Sequence, residues 1–112
     1  MTTVTQVQIV APLQLGNADA SVYIVPTQTT VKIGRAVFTN TTASASTITA
    51  GITTGGSLTA ATTLISARPI APGEAYVSPE LAGMVMPAGS SLRVFAGATT
   101  TVTFTASGLT IV

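Results

Sequence analysis

The chain has 112 residues, enough for one domain with a single hydrophobic core. It contains no Cys and no His, so it offers no disulfide framework and neither a thiolate nor an imidazole for catalysis or metal binding. Only 6% of the residues are charged, against about 25% in an ordinary domain. The net charge of +1 gives no long-range field that would attract nucleic acid or an anionic membrane, so we expect neither partner.

The mean hydropathy of +0.62 is high and raises the question of a membrane span. The long uncharged stretch between Arg35 and Arg68 is interrupted by Thr, Ser and Gly, and it lacks the run of about 20 apolar residues that a membrane helix needs. The N-terminal residues have no basic segment followed by an apolar one, which a signal peptide would show. We expect a soluble protein made in the cytoplasm. Its high hydropathy indicates either that neighbouring molecules cover part of its apolar surface or that many Ala and Thr residues are exposed.

The predicted elements are short β-strands. Thr, the commonest residue, favours strands as Val and Ile do, and Gly, Pro or Asn interrupts nearly every alternating run within about ten residues. We predict about eight strands, with 61–67 the least clearly marked. In chain order the runs span residues 4–10, 21–25, 31–40, 46–54, 61–67, 74–78, 83–86, 91–96 and 101–112.

The breaks between and within these runs predict how the strands connect. Gly34 changes the phase of its strand, which indicates a bulge or a close backbone approach. Pro72-Gly73 and Ala88-Gly89 are turns that each open an alternating run, and all the prolines fall outside the predicted strand interiors. So many strands in a small domain must form two packed sheets or a closed barrel. We predict an all-β, antiparallel β-sandwich in which residues 1–112 form one domain.

Few side chains could support chemistry. Glu74 and Glu80 lie six residues apart and could be an acid/base pair, but two solvated loop charges are the simpler interpretation because no nucleophile is nearby. Asp19 is better explained as a turn carboxylate than as a metal ligand, since hard-cation sites gather several oxygen side chains. The Gly-Ser loops lack the lysine and following helix of a phosphate-binding loop. We predict no catalytic residue, no metal and no cofactor.

Three segments are candidates for contact with other proteins. Residues 1–10 could form an arm that adds a strand to a neighbouring sheet, or could pair within their own chain. Arg68 lies in a Pro-rich segment that we predict to be a loop tip, where an arginine is either solubilising or an interface anchor. Two methionines two residues apart share a strand face and serve either the core or an adaptable contact patch. The candidate interface residues are Val4, Val7, Ile9, Arg68, Pro69, Ile70, Met84 and Met86.

The order of these phrases resembles that of small structural proteins of tailed bacteriophages. The similarity lies in "ASVYIVPTQTTVKIGRAVFTNTTASASTITAGIT" and in "RPIAPGEAYVSPELAGMVMPAGSSLRVFAGATTTVTFTASGLTIV", and it covers residues 20–112. In that family an Asp often follows the second turn glycine, whereas Ser90 follows Gly89 here. The resemblance implies a jelly-roll-like β-sandwich located on the virion.

The resemblance further implies a non-enzymatic capsid decoration protein, of the cement or staple type. Such a protein would bind the major capsid protein on the outside of the head, as a homodimer or homotrimer, and stabilise contacts between shell subunits. A neck, tail or fibre-attachment protein is the alternative within the virion. A β-sandwich that binds carbohydrate or a host surface is an alternative of a different class, for which Tyr23 and Tyr76 are the only candidate sugar platforms.

Overall fold

The computed structural model describes residues 3–112, and these residues form nine β-strands and no helix. The all-β prediction is therefore confirmed, and each of the nine strands overlaps one of the predicted runs. The strands are β1 (Val4–Gln14), β2 (Ser21–Ile24), β3 (Thr30–Asn40), β4 (Ser46–Thr53), β5 (Thr63–Ile70), β6 (Ala75–Val77), β7 (Val85–Met86), β8 (Ser91–Ala96) and β9 (Val102–Ile111).

The strands form two antiparallel sheets that pack as a sandwich. The larger sheet has the order β1-β9-β3-β6, and β7 also pairs with β3; the smaller sheet has the order β2-β8-β4-β5. Most connections pass from one sheet to the other, so that strands distant in sequence become neighbours. This arrangement of eight principal strands in two sheets is that of a jelly roll, and it confirms the predicted β-sandwich.

Both sheets result from one long antiparallel pairing between the two halves of the chain. Thr3 and Val112 exchange backbone hydrogen bonds of 2.8 and 2.9 Å at one end of this pairing. The pairing continues along the chain as Ile24 with Ser91, Val31 with Met86, Val37 with Val77, Ser46 with Ile70 and Gly51 with Thr63. The chain is thus a single hairpin, bent over several times, whose tip lies at Gly55 and Gly56.

Three similar turns carry the second half of the chain along the first. They span residues 71–74, 81–84 and 87–90, and in each the N–H of the fourth residue donates to the carbonyl of the first, at 3.0 to 3.1 Å. The third position is a glycine with a φ of 73°, 83° or 84°, which an L-residue adopts only with strain. The sequence predicted the first and last of these turns but not the one at 81–84.

Each turn is fastened to the first half of the chain in the same way. The N–H of the turn glycine donates to the backbone carbonyl of a residue in the first half of the chain. The N–H of that same residue donates to the carbonyl of the fourth residue of the turn. The receiving residues are Asn40, Ile33 and Val25, in that order. The turns therefore replace ladder hydrogen bonds where the second half of the chain is too irregular to form a strand.

The core lies between the sheets and is centred on two phenylalanines. Phe38 of β3 and Phe104 of β9 are fully buried, with ring centroids 4.7 Å apart. Ile48 and Leu92 contribute from the smaller sheet, and both are also fully buried. A buried side chain of this size stabilises the fold by about 1.5–3 kcal/mol, so this cluster supplies the main driving force for closing the two sheets.

The strand edges explain where the sequence-based predictions were wrong. Pro12 lies within β1 and Pro69 within β5, although we expected every proline outside the strands. Both are edge strands, where a residue without an N–H can be accommodated. Arg68 accordingly lies in β5 and not at a loop tip. Gly34 does mark the predicted bulge, since the register of β3 on β9 shifts between Ile33 and Arg35.

Asn40, the last residue of β3, is a fully buried polar side chain whose amide is completely used. Its Nδ2 donates to the carbonyls of Ser44 at 2.8 Å and Ile70 at 3.1 Å. Its Oδ1 accepts the backbone N–H and the hydroxyl of Thr42 at 3.0 and 2.8 Å. The side chain therefore holds the β3–β4 connection against the end of β5.

We expect the substitution Asn40→Ala to lower the free energy of unfolding by about 2–3 kcal/mol, because it leaves buried backbone groups without partners. Chemical denaturation measures this change. Thr41→Ala is the matched control, because the Thr41 hydroxyl is exposed and makes one long hydrogen bond of 3.4 Å; we expect it to change stability by less than about 0.5 kcal/mol. Equal effects of the two substitutions would contradict the role assigned to Asn40.

Ser90 provides a prediction of the opposite sign. Its Oγ is the one buried side-chain polar atom without a hydrogen-bond partner among residues 3–112. We expect Ser90→Ala to raise the free energy of unfolding by about 1 kcal/mol, because it removes an unpaired buried hydroxyl. Ser46→Ala should instead be destabilising, since the buried Ser46 hydroxyl is hydrogen-bonded to Thr101 Oγ1 at 2.9 Å. A loss of stability in Ser90→Ala would refute this account of the site.

Candidate functional site

The acidic side chains lie apart from one another and outside the strands. Residues 3–112 contain no group of three or more His, Cys, Asp or Glu side chains that could hold a metal ion. Asp19, Glu74 and Glu80 all lie in connections between strands. The described residues include no helix with the length and apolarity of a membrane span.

One side of the sandwich is closed by a contact between its two sheets. Arg68 of β5 places its guanidinium carbon 4.0 Å from the centre of the Tyr76 ring in β6. The Tyr76 hydroxyl donates a 2.5 Å hydrogen bond to Glu80 Oε1, and the Ser78 hydroxyl donates to the same oxygen at 3.3 Å. Because β5 and β6 are edge strands of different sheets, these residues link the sheets. We call Arg68, Tyr76 and Glu80 the clasp.

The clasp shifts the protonation of two of its members. The hydrogen bond from Tyr76 lowers the pKa of Glu80, against the opposing effect of burial, and the charge of Arg68 contributes in the same direction. Burial raises the pKa of Tyr76, and the hydrogen bond to Glu80 raises it further. Glu80 is therefore held as a carboxylate and Tyr76 as a phenol. This arrangement serves a structural contact, and Glu80 is more than the freely solvated loop charge expected from the sequence.

Asp19 makes the corresponding contact on the outside of the smaller sheet. Arg93 Nε of β8 donates to Asp19 Oδ1 at 2.7 Å, and the backbone N–H of Leu58 donates to Asp19 Oδ2 at 2.8 Å. Burial acts to raise the pKa of Asp19, but the bonds from Leu58 and Arg93 outweigh it and the pKa is lowered. Asp19 thus joins the β1–β2 and β4–β5 connections to β8, in agreement with the prediction of a structural carboxylate.

The outer surfaces of the two sheets differ in how the chain itself covers them. Leu58 and Thr62 lie over Gly51 of the smaller sheet so closely that a side chain at Gly51 would collide with both. The β4–β5 connection therefore covers part of the smaller sheet. On the larger sheet, by contrast, outward-facing strand residues such as Val4, Gln6 and Lys32 are exposed to solvent.

The outer face of the larger sheet carries both aliphatic and polar side chains, and none of them is acidic. Its composition follows from strand pairing, since paired residues lie on the same face: Val4 with Ile111, Gln6 with Leu109, Lys32 with Val85 and Val37 with Val77. Val4 and Val85 are 57% and 56% exposed, respectively. Lys32 and Arg35 supply its charge. This outer face is therefore a weakly basic surface.

A shallow depression lies on the same outer face. It has a volume of about 510 Å³ and is lined by Gln6, Val7, Gln8, Gly34, Ser107, Gly108 and Leu109. It forms where Gly34 interrupts the register of β3, opposite Ser107 and Gly108 of β9. Its lining contains amides, a hydroxyl and aliphatic groups, which suit contact with another surface better than bond-breaking chemistry.

The structure separates the eight candidate interface residues by exposure. Val4, Arg68 and Pro69 are exposed, and Val7 and Met84 are half-buried and pack against the core. Ile9, Ile70 and Met86 are buried in the core, because each lies on the inward side of its strand. These three side chains cannot touch a partner while the fold is intact, so we leave them out of the contact surface proposed below.

The structure also bears on the hypotheses for the N-terminal segment and for the two tyrosines. Residues 4–10 belong to β1, which pairs with β9 within the chain and has its other edge open, so addition to a neighbouring sheet stays a prediction. Met1 and Thr2 lie outside the described residues. The Arg68 guanidinium lies over the ring of Tyr76, and Tyr23 is half-buried against the core. Neither ring is thus a free platform of the kind that sugar binding uses. The sequence did not predict the outer face as a contact surface, because its residues become neighbours only through strand pairing.

The two lowered carboxyl pKa values predict how stability depends on pH. Ionised Glu80 and Asp19 contribute stability above the ordinary carboxyl pKa values of 4.5 and 3.8, and this contribution is lost as pH falls through the lower values of the folded state. We expect Glu80→Gln to reduce the free energy of unfolding by about 1 kcal/mol at neutral pH. Its difference from the wild type should shrink in acid, and Tyr76→Phe should behave likewise. A difference independent of pH would contradict the clasp.

Comparison with known proteins finds similarity of fold only. The sequence matches no protein-family model and no curated protein. In structure the chain is similar to the infectious bursal disease virus Gx strain (TM-score 0.56, 14% identity, 99% of this chain and 32% of that chain). It is also similar to the crystallised VP2 subviral particle of that virus (0.57, 14%, 98% and 32%) and to the Gt strain (0.52, 14%, 98% and 31%). The chain spans about a third of the length of the chains it matches.

Proposed function

We propose that the protein is a non-enzymatic structural component of a virion that acts by binding other subunits of the particle. The observation that carries this proposal is the match of nearly the whole chain to the β-sandwich of solved virus structures, including a VP2 subviral particle. At 14% identity this is a likeness of fold, so the function rests on the fold together with the surface properties of the chain.

The distribution of polar groups supports a role in contact. Asp19, Arg68, Glu80 and Arg93 are all engaged within the chain, where they hold the sandwich together. The outer face, by contrast, is open and presents aliphatic side chains among Gln and Thr. Exposed apolar residues that are grouped on one surface mark sites of protein–protein contact. A partner with apolar side chains and an acidic residue opposite Lys32 and Arg35 would complement this face.

Within the virion, we propose the role of a capsid decoration protein of a tailed bacteriophage. This proposal rests on the resemblance of residues 20–112 to small phage structural proteins. The major capsid protein would be the partner of the outer face, and the protein would be made in the host cytoplasm and retained on the surface of the head. Many modest contacts repeated over a lattice would stabilise the shell through multivalency, without any catalytic step.

A role at the neck or tail is the second candidate, because the same fold and the same contact surface serve both locations. The two candidates differ in stoichiometry. A decoration protein is present in numbers comparable with the shell subunits, whereas a neck or tail protein is present in few copies.

The test is the copy number of the protein in purified particles whose heads and tails have been separated, measured by quantitative mass spectrometry. We expect a number comparable with that of the major capsid protein, with the protein retained on heads. A few copies that travel with tails would replace the head assignment by the neck or tail. Absence from particles would refute the virion proposal.

A further inference from the structure

The edges of the two sheets differ in how they are protected against pairing with another chain. An exposed strand edge presents unpaired N–H and C=O groups, and proteins usually block it with bulges, prolines, charges or short strands. Three of the four edges here are blocked: β2 has four residues, β6 has three, and β5 contains Pro69, Arg68 and a register break at Ala67, whose φ is 47°. The fourth edge belongs to β1.

Only the second half of β1 is protected. Its register on β9 shifts between Gln8 and Val10 and again between Val10 and Leu13, and Pro12 lies in this part. The first half, Val4–Gln8, pairs with β9 without interruption and has the sequence VTQVQ, with no charge, proline or glycine. This five-residue segment, which we call the free edge, is a regular strand with one side open.

The pairing with β9 determines which backbone groups of the free edge are unused. Thr3 and Val112 exchange both of their hydrogen bonds, and antiparallel strands alternate between hydrogen-bonded and non-hydrogen-bonded pairs. Thr5 and Val7 therefore bond to β9 as Thr3 does. Val4, Gln6 and Gln8 direct their N–H and C=O groups away from β9, toward the open side.

We propose that the free edge binds the free edge of a second copy of this chain, antiparallel and about a twofold axis at Gln6. In this register Gln6 lies opposite Gln6 of the second copy, and Val4 lies opposite Gln8 in both directions. Each of these three pairs exchanges two hydrogen bonds, so all the open groups of Val4, Gln6 and Gln8 are used. The two larger sheets become one continuous sheet across the dimer.

The absence of charge allows a second copy to pair at this edge, whereas the basic residues of the outer face disfavour joining two copies through that face. In a self-pairing strand any charge near the axis meets its own counterpart, which is destabilising. The free edge has no charge, and neither do the rest of β1 and the neighbouring edge strand β2. Stacking two outer faces would instead bring Lys32 and Arg35 against the same basic residues, with no acidic residue in the strands of that sheet.

The dimer proposal extends the virion proposal by naming a second copy of the chain as a further partner. Its test uses purified protein alone, so a failure of the dimer proposal can be distinguished from a failure of the virion proposal. Sedimentation over a concentration series measures dimer formation for the wild type, Gln6→Pro and Gln6→Ala. Proline removes the open N–H of Gln6 in both copies but no bond to β9, and an edge strand accommodates it. We expect dissociation to become at least about tenfold easier in Gln6→Pro, while Gln6→Ala remains a dimer.

Two further variants keep the proposal testable if the proline disturbs the strand. Gln6→Lys places two positive charges on the axis and should give a folded monomer. Because the chain has no cysteine, Gln6→Cys can be oxidised to a disulfide-linked dimer, since opposed residues in such a pair lie about 5.5 Å apart. Gln14→Cys, exposed in the protected half of the same strand, should not cross-link. A monomeric wild type, or equal cross-linking at both positions, would overturn the proposal.

Discussion

The structure depends on the antiparallel pairing of the first half of the chain with the second. This pairing begins where Thr3 meets Val112 and continues to Gly51 and Thr63, near the tip at Gly55 and Gly56. Neither half has a core of its own, since Phe38 comes from one half and Phe104 from the other. Bending this long hairpin back on itself produces both sheets together. Sheet order, core and edges are consequences of the same pairing.

The pairing also makes the two sides of the sandwich different. The side formed by β5 and β6 is closed by Arg68, Tyr76 and Glu80. The charged groups of these residues already contact one another or the Tyr76 ring, so few of their polar atoms are open to a partner. The opposite side is formed by β1 and β2, which have no charged residue. The larger sheet extends from this side as an open surface of Val, Gln and Thr, with Lys32 and Arg35 as its charged residues. Because Asp19, Arg68, Glu80 and Arg93 make contacts within the chain while the outer face of the larger sheet is open, the protein is suited to contact with other proteins.

Much of the fold could be predicted from the sequence because its signals are local. Alternation and breakers locate all nine strands, Gly34 marks the bulge, and Pro72-Gly73 and Ala88-Gly89 indicate two of the three glycine turns. The pairing partners could not be predicted, because paired strands can lie at opposite ends of the chain, as Val4 and Ile111 do, and no local pattern indicates which strands pair. Pro12 and Pro69 were misplaced for this reason, because only sheet order reveals an edge strand. The clasp and the amide network of Asn40 likewise join residues that no short motif connects.

The central claim is that the protein acts through contacts of the outer face of the larger sheet. Hydrogen exchange of the backbone amides, compared between the free protein and purified particles that contain it, tests this claim most directly. We expect slower exchange on particles in the outer-face segments that contain Gly34 and Gly108. We expect no change at Val4–Gln8, which the proposed dimer already protects in the free protein, or in the segment that contains Arg68. Slower exchange in the segment that contains Arg68, with the segments around Gly34 and Gly108 unchanged, would place the contacts on the opposite side and contradict the claim.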